Sequence, residues 1–144
     1  MPRWVSLKFG KVNARQGPGD DYPAVWTYEA RRLPVQVIAE TREWRRVCDS
    51  DGQTAWVHRR TVDGARTVFR AAAQPVALNA RPDAKSPVRA WLAAHAIAEL
   101  DTCDRGWCRV RVQDSRGQGM GGQDVRGWAP ARELWGTGEA QRCR

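Results

Sequence analysis

The chain has 144 residues, a length that fits one ordinary domain or two small ones. Its hydrophobic content of 42% and its eight tryptophans are enough for a packed core, which excludes a chain that is disordered by composition. The formal charge of +8 is spread over both halves and predicts a solvated arginine-rich surface, although such a surface can also attract nucleic acid, anionic lipid or an anionic cell-wall polymer.

No segment of the sequence predicts a transmembrane helix. The longest apolar run, residues 90–98, is too short for one and is interrupted by His95. The first residues of the chain also lack the apolar core of a signal peptide. A secreted protein whose leader has been removed and a cytosolic protein would both begin in this way, so the compartment has to be inferred from the cysteines.

The first half of the sequence reads as short strands. Residues 33–40 are rich in branched side chains, and residues 44–49 alternate apolar with polar positions. The turn signal Asp49-Ser50-Asp51-Gly52 follows, and residues 54–60 resume the strand pattern. This order predicts a β-hairpin whose valines face a core.

The second half repeats this pattern. Residues 96–103 and 107–113 are predicted strands on either side of a short turn. Residues 88–100 have a weak helical periodicity, but they correspond to a strand region of the first half, which favours strands here as well.

The two halves carry the same motifs, which indicates an internal duplication. The predicted units are residues 1–70 and 76–144, joined by a linker at 71–75. A glycine-rich stretch, residues 117–124, extends one turn of the second unit, and a hairpin tip tolerates such growth. The matching segments are Val12–Arg15 with Leu78–Arg81, Pro23 and Trp26 with Pro87 and Trp91, Trp44–Val47 with Trp107–Val110, and Trp56-Val57 with Trp128-Ala129.

The order of these motifs resembles the bacterial SH3-like domain family. The first half carries the more specific match, because residues 81–87 replace the Gly-Pro-Gly loop in the second half. The matching residues are Val12–Arg15, Gly17–Gly19, Tyr22-Pro23, Trp44–Val47, Asp51-Gly52 and Trp56–His58, and then Leu78–Arg81, Trp107, Val110 and Gly127-Trp128. The resemblance implies an all-β chain of two tandem small SH3-like β-barrels packed against each other.

The resemblance also implies a function. Family members are mostly extracytoplasmic binding modules, often for cell-wall peptide or glycan, with a groove between the long first loop and the next hairpin tip. An aromatic groove with arginines at its rim suits an extended peptide or an anionic glycopeptide. The alternative is that Trp26 belongs to the core and only Tyr22 and Trp44 are exposed. The implied ligand-binding residues of the first barrel are Tyr22, Trp26, Tyr28, Trp44, Arg42 and Arg45.

The four cysteines allow three pairings. Cys103 and Cys108 flank a hairpin turn and would face each other directly. A bond between Cys48 and Cys143 would then tie the C-terminal tail to the first barrel. Four reduced cysteines in a cytosolic protein are the alternative. If the bonds form, the compartment is oxidising, so the protein is predicted to be periplasmic or secreted.

The sequence offers no convincing catalytic or metal-binding set. Cys48 with His58 or His95 is the available pair of nucleophile and base, and no orienting group or helix N-terminus accompanies it. Asp49 and Asp51 fit a turn better than a glycosidase pair. The cysteine spacing lacks the paired knuckles of a zinc site. The prediction is a non-enzyme without catalytic residues, cofactor or metal.

Two other functions stay open. A protein–protein adaptor would show an exposed apolar patch, for example around Trp4, Phe9 or Trp135. Nucleic-acid binding is compatible with the arginines and tryptophans, but the arginine pairs are separated along the chain. The predicted partners are therefore cell-wall peptide or glycan, or a partner protein, rather than nucleic acid.

Overall fold

The computed structural model of the chain describes residues 3–112 and 124–138, and this part is all-β, as predicted. It divides into a first unit that ends at Thr67 and a second unit that begins at Val68. Thirteen strands and two short 3-10 turns are its regular elements. Within these residues, no helix is long and apolar enough to cross a membrane.

The first unit contains a seven-stranded antiparallel sheet with the order β3-β2-β6-β5-β4-β1-β7. A 3-10 turn, Arg59–Thr61, joins β6 to β7. The strands are β1 (Arg3–Leu7), β2 (Val12–Arg15), β3 (Ala24–Tyr28), β4 (Pro34–Glu40), β5 (Trp44–Cys48), β6 (Thr54–His58) and β7 (Val62–Asp63).

The second unit contains a six-stranded sheet with the order β10-β9-β13-β12-β11-β8. A second 3-10 turn, Ala131–Glu133, follows its last strand. The strands are β8 (Thr67–Phe69), β9 (Val76–Asn79), β10 (Val88–Leu92), β11 (Ile97–Asp104), β12 (Trp107–Val112) and β13 (Val125–Pro130). Thr67, the first residue of β8, is also the residue at which the first unit ends.

The two sheets repeat one strand order, so the duplication predicted from the sequence is visible in the topology. Strands β3, β2, β6, β5, β4 and β1 correspond in turn to β10, β9, β13, β12, β11 and β8. Ser6 of β1 pairs with Asp63 of β7. Phe69 of β8 forms the equivalent bridge with Trp135.

Neither sheet closes into the barrel that the resemblance implies. In the described part of the chain, the edge strands of the first sheet are β3 and β7, and those of the second are β10 and β8. Closure requires continuous hydrogen bonding around the sheet. Strands β7 and β8 have only two and three residues, and each pairs with one neighbour, so they cannot bridge the gap.

The sequence predicts that the first unit ends at residue 70. In the structure, the first unit ends at Thr67. Val68 and Phe69 belong to β8, which pairs with β11 in the second sheet. Residues 71–75 therefore connect β8 to β9 inside the second unit rather than joining the two units. A three-residue strand carries too little periodicity to be recognised from sequence, and its partner lies far along the chain.

The repeated Asn-Ala-Arg motif is displaced between the two sheets. Arg15 of β2 lies opposite Trp56, and Asn79 of β9 lies opposite Trp128. Because Trp56 and Trp128 are equivalent, Asn79 occupies the position of Arg15 in the sheet. The match of residues 12–15 with 78–81 is therefore wrong in register, although both segments contribute to equivalent strands.

The match between Trp26 and Trp91 is also wrong, by one residue. Trp26 lies opposite Ala14, whereas Trp91 lies opposite Ala77. Trp26 is half-buried, and Trp91 is 63% exposed on the edge strand β10. Ala90, which lies opposite Leu78, occupies the position of Trp26. Trp91 is the next residue along the strand, so its side chain falls on the opposite face of the sheet.

Period-2 alternation places the valines of the first sheet in its core. Val35 and Val37 of β4 are almost completely buried, as are Val47 of β5 and Val57 of β6. Burial of each such side chain stabilises the folded state by about 1.5–3 kcal/mol relative to leaving it exposed to water. The core of the second unit is built in the same way from Val68, Val76, Leu78, Leu92, Ala98, Val110, Ala129 and Leu134.

The turn of the β5–β6 hairpin is organised by Asp49, which is only 6% exposed. Its Oδ1 accepts from the backbone N–H groups of Asp51 and Gln53, both at 3.0 Å. Its Oδ2 accepts from the Tyr28 hydroxyl at 2.9 Å. Gly52 completes the turn with a φ of 80°, which a glycine adopts without strain. The predicted turn is thus tied to β3 by a buried hydrogen bond.

A disulfide joins Cys103 and Cys108, which face each other across β11 and β12. Cys48 is buried in β5, but Cys143 lies outside the described residues, so the Cys48–Cys143 pairing stays a prediction. The glycine-rich stretch 117–124 also lies outside them, except for Asp124.

Replacing both Cys103 and Cys108 by alanine should lower the free energy of unfolding by about 2 kcal/mol or less, because a short loop constrains the unfolded chain only weakly. The sequence separation is five residues. Urea denaturation of the double variant and the oxidised wild type measures the difference. Loss of cooperative unfolding would show that the bond is required for folding.

Candidate binding surfaces

Two of the predicted groove residues of the first unit are core side chains. Tyr28 and Trp44 are each only 8% exposed. Trp44 lies in β5 opposite His58, and the two rings meet edge to face with centroids 5.2 Å apart. Neither Tyr28 nor Trp44 can therefore form the open floor of a groove.

Tyr22 and Trp26 lie nearer the surface. Tyr22 is 45% exposed in the loop between β2 and β3. Its ring packs on Gly17, where an added Cβ would overlap the ring, and Arg15 donates from Nη1 to the Tyr22 carbonyl at 2.9 Å. Trp26 is half-buried and meets Tyr28 edge to face at 6.0 Å. The loop thus presents one exposed aromatic ring.

The two predicted rim arginines differ in their exposure and in their contacts with the protein. Arg42 is exposed in the turn between β4 and β5. Arg45 donates from Nη1 to the Thr41 carbonyl at 2.8 Å, and its Nε lies 3.6 Å from Glu40. Arg45 is therefore engaged within the protein, and Arg42 is the more accessible cation.

A charged cluster lies beside Trp44. Arg59 donates from Nε to Glu43 at 2.9 Å, and His58 Nε2 lies 3.6 Å from the same carboxylate oxygen. The hydrogen bond from Arg59 lowers the pKa of Glu43 from its ordinary value. His58, which packs on the indole of Trp44, thus belongs to a charged cluster with Glu43 and Arg59.

An open groove of about 410 Å³ lies in the second unit. Trp107 at the start of β12 and Pro130 at the end of β13 pair across the ladder and line it. Ala84, in the loop between β9 and β10, and Glu133, in the 3-10 turn, also line it. The groove therefore combines an apolar surface with a carboxylate.

Arg70 supplies a positive charge to this groove while being only 6% exposed. Its Nε donates to the Gln74 carbonyl at 2.8 Å. Its Nη1 donates to the carbonyl and the carboxylate of Glu133, both at 2.8 Å. Among the described residues, Nη2 has no protein acceptor. The guanidinium is thus fixed in position and retains donors for a ligand.

Small or apolar residues stand in the second unit at the positions of the charged cluster of the first. Trp107 occupies the position of Trp44, since each is the first residue of its strand and pairs with the last residue of the next. The equivalent backbone hydrogen bonds are Arg59 N–H to Glu43 O and Ala131 N–H to Gly106 O. Glycine and alanine therefore stand beside Trp107, which is half-buried rather than buried.

The pair of nucleophile and base considered from sequence is not assembled. Cys48 lies opposite Thr54, and His58 lies opposite Trp44, at the other end of the same ladder. Cys48 is buried, and His58 Nδ1 accepts from the backbone N–H of Arg60 to cap the 3-10 turn. Cys48 is thus a core residue and His58 caps a turn, and the two side chains lie at opposite ends of the ladder.

The two sheets correspond to two matches with a known family. The sequence matches the Bacterial SH3 domain family over residues 8–64 and again over residues 72–136. The chain belongs to this family. Each unit is accordingly a bacterial SH3 domain with an open sheet. No curated protein matches the chain.

The solved structures of NlpC2 and NlpC1 from Trichomonas vaginalis are similar to the tandem SH3 chain. Each has 11% sequence identity and a TM-score of 0.40. The alignments cover 93% and 94% of this chain, but 48% and 46% of those proteins. The tandem SH3 chain thus spans less than half of their length. Similarity of this degree does not indicate a shared function.

The groove of the second SH3 unit is not predicted by the sequence, which places the ligand in the first. Trp107 has the same motif as Trp44, but the resemblance implies ligand-binding residues in the first barrel only. Arg70 reads as the end of the first unit, because the short strand β8 gives no pattern. The available signal was the loss of the charged residues, since Gly106, Pro130 and Ala131 stand where the first unit has Glu43, His58 and Arg59.

Proposed function

We propose that this tandem bacterial SH3 chain is a non-enzymatic extracytoplasmic binding module for an extended peptide, such as a cell-wall peptide. The observation that carries the proposal is the open groove of the second unit. It joins the apolar surface of Trp107 and Pro130 to a guanidinium and a carboxylate, Arg70 and Glu133. Family membership supports a binding role rather than catalysis.

The chemistry of this groove favours a peptide that carries both charges. Arg70 can donate to a carboxylate, and Glu133, whose side chain is 38% exposed, can accept from an ammonium group. The ring of Trp107 offers an apolar contact of large area with little loss of conformational entropy. Cell-wall peptides have free amino and carboxyl groups on short extended backbones, which fits this arrangement.

The first unit contributes a second surface in this proposal. Tyr22 presents an exposed ring, with Arg42 in the turn between β4 and β5. Trp26, Tyr28, Trp44 and Arg45 support the unit rather than the ligand, because they are wholly or partly buried. The disulfide between Cys103 and Cys108 supports a periplasmic or secreted location.

Blocking the groove should abolish binding without affecting the fold. Ala84 is exposed and lines the groove, whereas its neighbour Lys85 is exposed but does not line it. We expect Ala84→Trp to reduce retention on purified peptidoglycan by about tenfold or more, because a steric clash excludes the ligand. Lys85→Trp, which adds the same ring nearby, should bind like the wild type.

The pull-down is made at low and at physiological salt with full-length protein. Equal retention of the two tryptophan variants would reject the groove of the second unit. No retention of the wild type, together with a partner protein that co-purifies and is lost with Ala84→Trp, would favour the adaptor alternative. Binding to DNA with a steep salt dependence would favour nucleic acid instead.

A further inference from the structure

A separate pocket of about 280 Å³ lies in the first SH3 unit and has a basic wall. We call it the basic pocket. It lies next to the turn between β3 and β4 and receives residues from β1 and β7. Its polar and aromatic side chains are Ser6, Lys8, Phe9, Arg31, Arg32 and Asp63.

Among the described residues, no protein group pairs with the cations of the basic pocket. Within residues 3–112 and 124–138, the side chains of Lys8, Arg31 and Arg32 make neither an ion pair nor a hydrogen bond. The carboxylate of Asp63 accepts from the Ser6 hydroxyl at 3.2 Å and from the Ala65 N–H at 2.9 Å. Three positive charges and one negative charge therefore leave a net charge of +2 on the wall.

Arg32 is held in an unfavourable backbone conformation at the mouth of this pocket. Its φ is 72°, in the left-handed region that favours glycine. Its N–H donates to the Leu7 carbonyl at 2.8 Å, and its carbonyl accepts from the Thr67 hydroxyl at 2.7 Å. A non-glycine residue in this conformation costs stability.

The second SH3 unit forms the same turn without these cations. His95 has a φ of 64°, and its N–H donates to the Arg70 carbonyl at 2.7 Å. This hydrogen bond is equivalent to the one from the Arg32 N–H to the Leu7 carbonyl. The residue before it is Ala94, where the first unit has Arg31, and three alanines, 71–73, follow Arg70. The fold therefore does not need Lys8, Phe9, Arg31 or Arg32.

We propose that the basic pocket binds a phosphate ester whose organic part is a ring or another apolar group. A phosphate monoester carries about −1.5 to −2 charges at neutral pH, which matches the net charge of the wall. Guanidinium groups bind phosphate oxygens in pairs of parallel hydrogen bonds. Phe9 is 53% exposed beside them and offers a surface on which a ring can stack.

Titration of the full chain with phenyl phosphate, inorganic phosphate and benzoate at constant ionic strength tests the charge and the ring separately. Amide shifts in a ¹H–¹⁵N spectrum report the site. We expect phenyl phosphate to bind most tightly and to shift the amides of Lys8, Phe9, Arg31 and Arg32. Benzoate binding as tightly as phenyl phosphate, or shifts elsewhere alone, would overturn the proposal.

Two arginine-to-glycine variants separate binding from backbone strain. Arg32→Gly removes a pocket cation and relieves a positive φ. Arg105→Gly also relieves a positive φ, of 50°, in the β11–β12 turn, but Arg105 does not line the basic pocket. Arg32→Gly should weaken phenyl phosphate binding by about tenfold, the effect of one charged hydrogen-bonding group. Arg105→Gly should leave it unchanged.

A third variant tests the ring. Phe9→Ala should reduce the preference for phenyl phosphate over inorganic phosphate and leave inorganic phosphate binding unchanged. Because Phe9 is exposed, the variant should fold like the wild type. Equal affinities of Arg32→Gly and Arg105→Gly, or an unchanged preference in Phe9→Ala, would remove the basic pocket as a phosphate ester site.

Discussion

Replacing Asp49 by alanine should lower the free energy of unfolding by about 3–5 kcal/mol, because it leaves three donors without their acceptor. The donors are the Tyr28 hydroxyl and the N–H groups of Asp51 and Gln53. Asp49 is 6% exposed, so water cannot replace the carboxylate readily. Chemical denaturation of the purified variant measures the loss.

Two control variants make this test specific. Asp51→Ala removes an exposed carboxylate from the same turn and should change the stability by no more than about 0.5 kcal/mol. Tyr28→Phe removes a single hydrogen bond and should cost about 1–2 kcal/mol. If Asp49→Ala cost no more than Asp51→Ala, the buried network would not be what holds the hairpin to β3.

The same network predicts a pH dependence. Burial, with the negative charge of Asp49, raises the pKa of Tyr28 above its ordinary value. The unfolded chain then loses the tyrosine proton at a pH near 10, while the folded chain keeps it. Its contribution to stability is complete below that pH and is lost as the pH rises toward the folded-state pKa. Tyr28→Phe should remove this alkaline decline in denaturation measurements.

Replacing Gly127 by alanine should lower the free energy of unfolding by about 2–4 kcal/mol, since overpacking a rigid core forces neighbouring atoms to move. An added Cβ at Gly127 would lie 2.6 Å from the Cβ of Leu78 and 3.1 Å from its carbonyl carbon. These atoms belong to the backbone region of β9 and cannot rotate away. Urea denaturation measures the change.

A glycine elsewhere in the chain provides the matched control for this prediction. Nothing lies within 4 Å of a Cβ built on Gly64. Gly64→Ala should therefore be neutral or stabilise the protein by about 0.4–1 kcal/mol through the unfolded state. A similar loss in Gly64→Ala and Gly127→Ala would point to a general effect of glycine replacement rather than to the contact with Leu78.

The first unit indicates how the contact with Leu78 can be relieved. The positions of Gly127 and Leu78 are occupied there by Ala55 and Ala14, both buried. Where the second unit combines glycine with leucine, the first unit combines two alanines, so a Cβ is accommodated there beside the smaller Ala14. In a Leu78→Ala background, Gly127→Ala should cost much less, and a double-mutant cycle measures this coupling. Strictly additive effects would contradict the steric explanation.

The sequence by itself determined the all-β class, the duplication, the β5–β6 hairpin and the disulfide between Cys103 and Cys108. These features depend on local patterns, since alternation, turn residues and short loop spacing act over a few neighbouring residues. The family resemblance followed from the same patterns and is confirmed by the two matches. It also implied closed barrels, whereas the sheets are open.

The tertiary structure alone decided which side chains are available to a ligand. Trp44 and Trp107 share one motif, yet the ring of His58 packs on Trp44, which is buried, whereas Trp107 pairs with Pro130 and lines an open groove. The two-residue displacement of β9 and the edge role of β8 depend on pairings between distant segments, which no local pattern records. Exposure is a property of these long-range neighbours, so the groove and the basic pocket became visible only in the folded chain.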